Sequence, residues 1–436
     1  MKNNHILWLG LILSVLLKGF FLSLDGNADM LQYRMWGDAV LDKGLADAYR
    51  GIYFPLQWQL FAICSWLARN FNFLHWTLPF KAMNLIFDIG CFWVLVLLLK
   101  RHKLNPLYAL LYCLHPWFIV NFSQGFVDSQ SMFFVLLPLL ILRENGNTFK
   151  RYFAAGIPLA CAFLMKPQIM LIIAAIGFYL VWAWYKMRCW RQFAIIIPVV
   201  VLYAAYMIYF SFSVREYTAA QNITIPGFLL LPFTYVVIGM IFPCLTASMS
   251  NVWYPIAYCL KQPGAPVYSV NHSGVTLIVS MLTVCAIIVF AVYLARKYQN
   301  VLTSEALFFI ITFVSLLVPF FMTSAHCNHP FIATVVLIIM LAKHHRNKVF
   351  SYAFHSMLIL LFCATFARYG WGPSLPQNIL PHNGFVSNMI AILIAFVFPV
   401  LFYCFVKTAL SQQNGTDSGM DYPEAKALGE MRPSAE

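Results

Sequence analysis

The sequence predicts an all-α fold: a polytopic integral membrane protein of about 12 transmembrane helices, with a long outer first loop carrying two interfacial helices. Three observations predict it. The 436 residues are 61% hydrophobic and 10% charged, with a mean hydropathy of +0.75, whereas soluble chains carry about 25% charged residues. Apolar runs of about 20 residues recur along the chain, the length that crosses a bilayer as a helix. Basic residues gather in short clusters between those runs.

The clusters set the topology. They are Lys100–Lys103, Arg143 with Lys150 and Arg151, Lys186–Arg191, Arg296 with Lys297, and Lys343–Lys348. Placing all five on the cytoplasmic side gives a self-consistent path. Spans are expected at 6–24, 81–99, 105–121, 129–143, 152–166, 168–185, 192–212, 273–295, 304–323, 330–342, 349–367 and 386–406. The apolar segment 229–246 is expected to be re-entrant, and both termini are expected inside. The first run, Ile6–Leu24, lacks a small-residue cleavage site and reads as an uncleaved helix. Residues 1–410 form one transmembrane domain. The polar tail 411–436 is expected to be disordered and cytoplasmic.

Two function classes fall away. The net charge of +13 sits in topology clusters, so it does not describe a nucleic-acid surface. There is no GxxxxGK[ST], HExxH, GxSxG or GxGxxG, so ATP-driven transport within this chain has no support. The 11 cysteines lie mostly inside apolar runs without CxxC spacing and read as packing residues.

The outer loop, 25–80, is the most unusual stretch. It holds Asp25, Asp29, Asp38, Asp42 and Asp47, a third of the chain's 15 acids. Leu31, Trp36, Val40 and Leu41 recur near helical spacing, as do Leu60, Phe61, Ile63, Cys64 and Leu67. Both pieces are too short to span and are read as interfacial helices, with Pro55 fixing a turn between them. Asp38, Asp42 and Asp47 are expected to be solvated or paired with Arg34, Lys43 and Arg50.

Polar groups at membrane depth are candidate functional groups. Asp29 shares a helix face with Tyr33 and Trp36. A carboxylate there can serve as general base for an alcohol, or it can cap the helix. Asp25 competes for the same role. Asp128, in "SQGFVDSQ", is either a second functional acid or a cap. Lys81, Asn84 and Asp88 line one face of the second span at i, i+3 and i+7, where an ion pair or polar interhelical contact is the plainer reading. Lys166, in "FLMKPQ", can hold a phosphate or simply snorkel. His326 and His329, in "AHCNHPF", lack the further ligands a zinc site needs. Arg215, Asn251, Trp253 and Arg368 add outer-side polar groups.

In this order these residues resemble the GT-C superfamily of membrane glycosyltransferases, and in particular bacterial relatives of the GPI mannosyltransferases. The family shows an acid in the first outer loop followed by Tyr and Trp, matched by Asp29, Tyr33 and Trp36. Its "YPPL" element is matched by "YFPL", and its Lys/Asn/Asp face by Lys81, Asn84 and Asp88. Its "GQVDS" is matched by "QGFVDS" with Asp128, its "TKPQ" by Lys166, Pro167 and Gln168, and its "FNLW" by Ser250 to Trp253. The last element, "MHERY", stands here as "AHCNHPF", keeping His326 alone. The likeness covers about residues 1–345.

The resemblance implies an inverting, single-step hexosyl transfer, mannosyl by the same likeness, on the non-cytoplasmic face. The donor would be a polyprenyl-phosphate sugar and the acceptor a lipid or cell-envelope glycan. It implies Asp29 as base, assisted by Asp128. Tyr33, Trp36, Gln168, Asn251 and Trp253 would bind substrate, and Lys166, His326 and Arg215 would hold the donor phosphate. A divalent cation, Mg or Mn, held by the carboxylates and the lipid phosphate is compatible with it. Short loops and the bacterial likeness favour a bacterial inner membrane with the site facing outward. An endoplasmic reticulum membrane with a lumenal site is the alternative, although the sequons at Asn222 and Asn271 do not establish it. The rival reading is a secondary transporter or lipid flippase with proton coupling at Asp88.

Overall fold

The structure, a computed structural model, describes residues 2–49, 53–71, 75–210, 214–217, 223–226, 251, 253–263, 265, 269–322, 328–370 and 385–411. The expected re-entrant segment 229–246, His326 and the tail beyond Ser411 lie outside them.

Helices dominate. The first run forms α1 (Lys2–Gly19). The outer loop folds into α2 (Ala28–Lys43), the short α3 (Leu45–Ala48) and α4 (Pro55–Asn70). Next come α5 (Thr77–Arg101), α6 (Ala109–Leu114), α7 (Pro116–Ser123), α8 (Asp128–Ile141), α9 (Phe149–Phe163), α10 (Ile169–Met187) and α11 (Ile197–Phe210). After a hairpin the chain continues through α12 (Tyr254–Leu260), α13 (Ser273–Lys297), α14 (Ser304–Phe321), α15 (Phe331–Lys343), α16 (Lys348–Tyr369) and α17 (Phe385–Ser411).

The core sits on α14 and α15, whose side chains are almost all buried. By contrast α13 turns Leu277, Ile278, Met281, Leu282 and Val289 outward. Among the described residues, six helices are long and apolar enough to cross a membrane: α5, α10, α13, α14, α16 and α17. Four shorter apolar helices, Asn4–Gly19, Asp128–Ile141, Trp190–Tyr206 and Phe331–Lys343, accompany them. Outward apolar side chains on such helices are what a lipid-facing surface requires.

Contacts bring the five basic clusters to one end of the bundle. Lys100 reaches Asn4, and Arg101 donates to the carbonyls of Leu139 and Leu140. Asn147 and Tyr152 bond Leu302 O, Gln192 bonds Asn300 O, and Lys343 pairs with Glu305 at 2.7 Å. Arg296 lies over Trp182 at 4.5 Å and Arg188 over Trp184 at 4.9 Å. Aromatic rings stacked with cations mark the zone where apolar and wet surroundings meet.

Two expectations need correction. The span at 105–121 is broken: a 3-10 turn at Pro106–Tyr108 leads into α6, and extended His115 accepts from Trp117 N before Pro116 opens α7. A proline disfavours the α conformation at the residue before it, so the run cannot stay one helix. The fold is helical as expected, and a short hairpin pairs β1 (Val214–Tyr217) antiparallel with β2 (Ile223–Pro226). Asp38 and Asp42 are held mainly by Arg69, at 2.9 Å and 2.6 Å, while Arg50 lies outside the described residues. Arg34 reaches Asp38 only at 3.7 Å. Arg69 gets there because α4 lies across α2, with Gly37 tight against Phe61 O.

Candidate functional site

The end opposite the basic clusters is capped by α2 and α4, and Asp29 lies in the first turn of α2. Asn27 is the N-cap: its side-chain oxygen accepts from Asp29 N at 3.1 Å. Asp29 is therefore not the cap, which resolves one sequence-level ambiguity. Its carboxylate is half-buried, and among the described residues its hydrogen-bond partner is Asn27 Nδ2 at 3.3 Å.

Glycines bring this turn to the next acid. A side-chain carbon at Gly26 would meet Met30 Sδ and Gln124 O, and one at Gly125 would meet Met30 Sδ at 2.3 Å. Gly125 has φ +77, which glycine adopts without strain. Asn27 N also donates to Gln124 O at 3.0 Å. Met30, beside Asp29, thus packs directly on the turn that delivers Asp128.

Asp128 opens α8 and is almost fully buried at 2% exposure. Lys166, 3% exposed, forms an ion pair with one carboxylate oxygen, and Asn328 Nδ2 donates to the other at 2.7 Å. Both oxygens are engaged, so the charge is balanced where it is buried, as a buried ion requires. Lys166 is held by an extended contact between segments: Phe54 N donates to Met165 O and Leu56 N to Leu164 O. The "YFPL" and "LMKPQ" stretches therefore lie side by side.

The electrostatics separate the two acids. Burial raises the Asp29 carboxyl above its ordinary value, and the Asn27 hydrogen bond and the charges of Arg368 and Lys166 oppose that rise. Asp29 thus stands within electrostatic range of Asp128, Lys166 and Arg368. Asp25 acts on a different cation, Lys81.

A small cleft is lined by Gln168, which follows Lys166 by two residues, by His329, which follows Asn328, and by Ile172, Ser315 and Pro319 among others. The Gln168 amide and His329 Nε2 are 2.9 Å apart. Gln168 Oε1 and Ser315 Oγ are buried without a hydrogen-bond partner. The site thus offers a half-buried acid, a neutralised acid–lysine pair, a guanidinium and a largely apolar cleft carrying Gln168, Ser315 and His329. That set can accept a proton from a hydroxyl and receive an anionic group nearby.

Several of the residues expected to bind substrate also pack within the scaffold. Tyr33 is buried: it stacks on Phe61 at 4.5 Å, and its hydroxyl lies 3.3 Å from that of Tyr53. Trp36, partly exposed, stacks on Trp58 at 5.1 Å. Asn251 is fully buried, donating to Met322 O and accepting from Trp253 N. Trp253 Nε1 donates to Phe321 O at 2.5 Å. These two residues close the end of α14, because its last carbonyls need donors.

The Lys81, Asn84 and Asp88 face does form, and it is turned inward. Lys81, 0% exposed, donates to the carbonyls of Phe21, Leu24 and Ser123. Asn84 Nδ2 donates to Phe126 O and its Oδ1 accepts from Gln130, which also accepts from Gln57. Asp88 pairs with Lys18 at 2.8 Å and accepts from Tyr112. Arg215 falls on β1 opposite Ile225, its side chain lying outside the described residues together with His326. Sequence reasoning gave Asn27, Asn328, Tyr53 and Gln124 no role. Asn328, Tyr53 and Gln124 carried a signal, by standing inside the quoted motifs, and Asn27 did not.

No family model and no curated protein matches the chain.

Proposed function

We propose that this chain is a membrane glycosyltransferase of GT-C type that moves a sugar from a polyprenyl-phosphate donor to a hydroxyl acceptor on the non-cytoplasmic face. The observation that carries the proposal is the division of labour between Asp29 and Asp128. Asp128 has both oxygens engaged and is fixed in place by Lys166 and Asn328. Asp29 is half-exposed, lightly bonded and raised toward the range a general base needs.

In the proposed step Asp29 takes the proton of the acceptor hydroxyl as that oxygen attacks the anomeric carbon. The glycosyl–phosphate bond breaks on the opposite face of the sugar, and the lipid phosphate leaves with its electron pair. The product is therefore inverted. Lys166 and Arg368 stand where they can offset charge growing on that phosphate. Asp128 keeps Lys166 oriented. No step is assigned to a divalent ion: the Asp128 oxygens are already held by Lys166 and Asn328, and a metal would have to displace them.

The placement of all five basic clusters at the other end supports reading the helical legs as about 12 crossings with both termini cytoplasmic. On that reading the Asp29 site faces the periplasm or exterior of a bacterial inner membrane. The rival transporter reading loses support because Asp88 is already tied to Lys18 and Tyr112. The sugar, mannose by resemblance, is tested by offering purified protein labelled polyprenyl-phosphate mannose, glucose and arabinose with an envelope acceptor fraction. Transfer from one donor supports the proposal. Transfer from none, with solute or lipid movement in liposomes, would replace it with the transporter reading.

A further inference from the structure

We infer that the basic end of the bundle holds a second binding site, for a phosphate-bearing lipid, in the cavity framed by His102, Lys343 and His344. This does not depend on the transferase reading. The cavity opens among the ends of α5, α14, α15 and α17. Its walls are apolar, with Leu98, Leu139, Phe308, Phe309, Ile339 and Met340. Its polar groups are concentrated at His102, Ser304, Glu305, Lys343, His344 and Thr408. A long apolar wall with a polar end suits an amphiphile, not a wholly polar solute.

The polar end favours an anion. Lys343 pairs with Glu305 at 2.7 Å, and Arg101 and Lys297 lie within electrostatic range of the same groups. Glu144 and Glu305 are the acids facing them, so the cations are in excess. Burial is the main reason both His102 and His344 sit below the ordinary histidine value, with Arg101 and Lys343 adding to it at His102 and Lys343 at His344. Each is then a neutral ring that can donate one N–H. His344 Nε2 is buried without a hydrogen-bond partner, and a buried polar atom left so is costly unless something supplies the bond. A lipid phosphate would supply it.

Position argues for a lipid source. The cavity lies at the end where Arg296, Arg188 and Lys186 stack on Trp182, Trp184 and Tyr185, the arrangement of a membrane–water boundary. A bound lipid would tie α17 to α14 and α15, whose last and first turns share the cavity.

The test uses the full chain in nanodiscs of phosphatidylglycerol mixed with phosphatidylcholine, read by native mass spectrometry and thermal unfolding. Phosphatidylglycerol should be retained under activation that strips phosphatidylcholine, and it should raise Tm. In the double variant His344→Leu with Lys343→Gln, retention should weaken by roughly tenfold, which corresponds to about 1.4 kcal/mol. Met340→Trp, which fills the cavity without touching the charges, should abolish retention while leaving Tm in phosphatidylcholine unchanged. Equal retention of the two lipids, or unaltered phosphatidylglycerol retention in both variants, would overturn the inference. Protection by inorganic phosphate alone that matches the lipid would overturn the lipid assignment.

Discussion

Asn328 donates to the Asp128 carboxylate at 2.7 Å across a sequence separation of 200 residues, and it shares that carboxylate with Lys166. Three segments thus meet on one buried anion: the start of α8, the turn before α10 and the turn before α15.

Removing one partner of the buried pair should be severe. Lys166→Met leaves Asp128 charged, buried and bonded only to Asn328, at a cost of about 3–5 kcal/mol. The double variant Lys166→Met with Asp128→Asn should recover part of that loss, since no charge is then stranded. Unfolding in detergent measures both. Equal losses in the single and double variants would show that the pair is not the source.

Asp29 should couple stability and activity in opposite senses. Its carboxyl is raised above the ordinary value by burial, so ionising it opposes folding. That cost is absent below the ordinary carboxylate range and fully present above the raised value. Asp29→Asn should therefore be more stable than the parent at neutral pH, with the advantage vanishing in acid. Unfolding followed across pH measures it, and no difference at any pH would contradict the burial argument.

The same raised value sets the acid limb of the activity profile. A general base must be ionised, so kcat/KM should fall as pH drops through the Asp29 value, above where an ordinary aspartate would act. A profile flat through the mildly acidic range would exclude Asp29 as the titrating group.

Gly37→Ala tests how the cap positions the acid. The added carbon would stand 2.4 Å from the Phe61 carbonyl oxygen, and backbone cannot step aside as a side chain can. Separating α2 from α4 should cost about 1–3 kcal/mol and lower kcat through displaced Asp29. A stable protein with full activity would show that the α2–α4 contact does not fix the site.

Trp253→Phe should behave differently. It removes the indole N–H given to Phe321 O, costing about 1 kcal/mol of stability, and should leave KM for the donor unchanged. A raised KM would return Trp253 to the substrate contacts the sequence suggested.

Much of this was legible in the sequence, for physical reasons that differ by residue. Hydropathy and the basic clusters located the long helices because burial and charge act over whole segments. The period of Leu31, Trp36 and Leu41 located α2 in the same way. What spacing could not decide was the partner. Lys81, Asn84 and Asp88 were placed on one face, yet whether that face meets a substrate or three backbone carbonyls depends on what α1 and α7 bring to it. Tyr33 and Trp36 share a face with Asp29, but the aromatic cluster that swallows Tyr33 is completed by Tyr53 and Phe61 from the next segment. Asn27 outcompeted Asp29 as the cap because both residue types cap well and only the backbone fixes which one stands first.

The most direct test of the central claim is single-turnover transfer from a labelled polyprenyl-phosphate sugar by wild type and Asp29→Asn, with donor binding measured separately on each. The account predicts that Asp29→Asn binds donor about as well and transfers it at least about a hundredfold more slowly, the lower end of what a general base contributes. Transfer at the wild-type rate, or loss of donor binding in step with loss of transfer, would contradict Asp29 as the base.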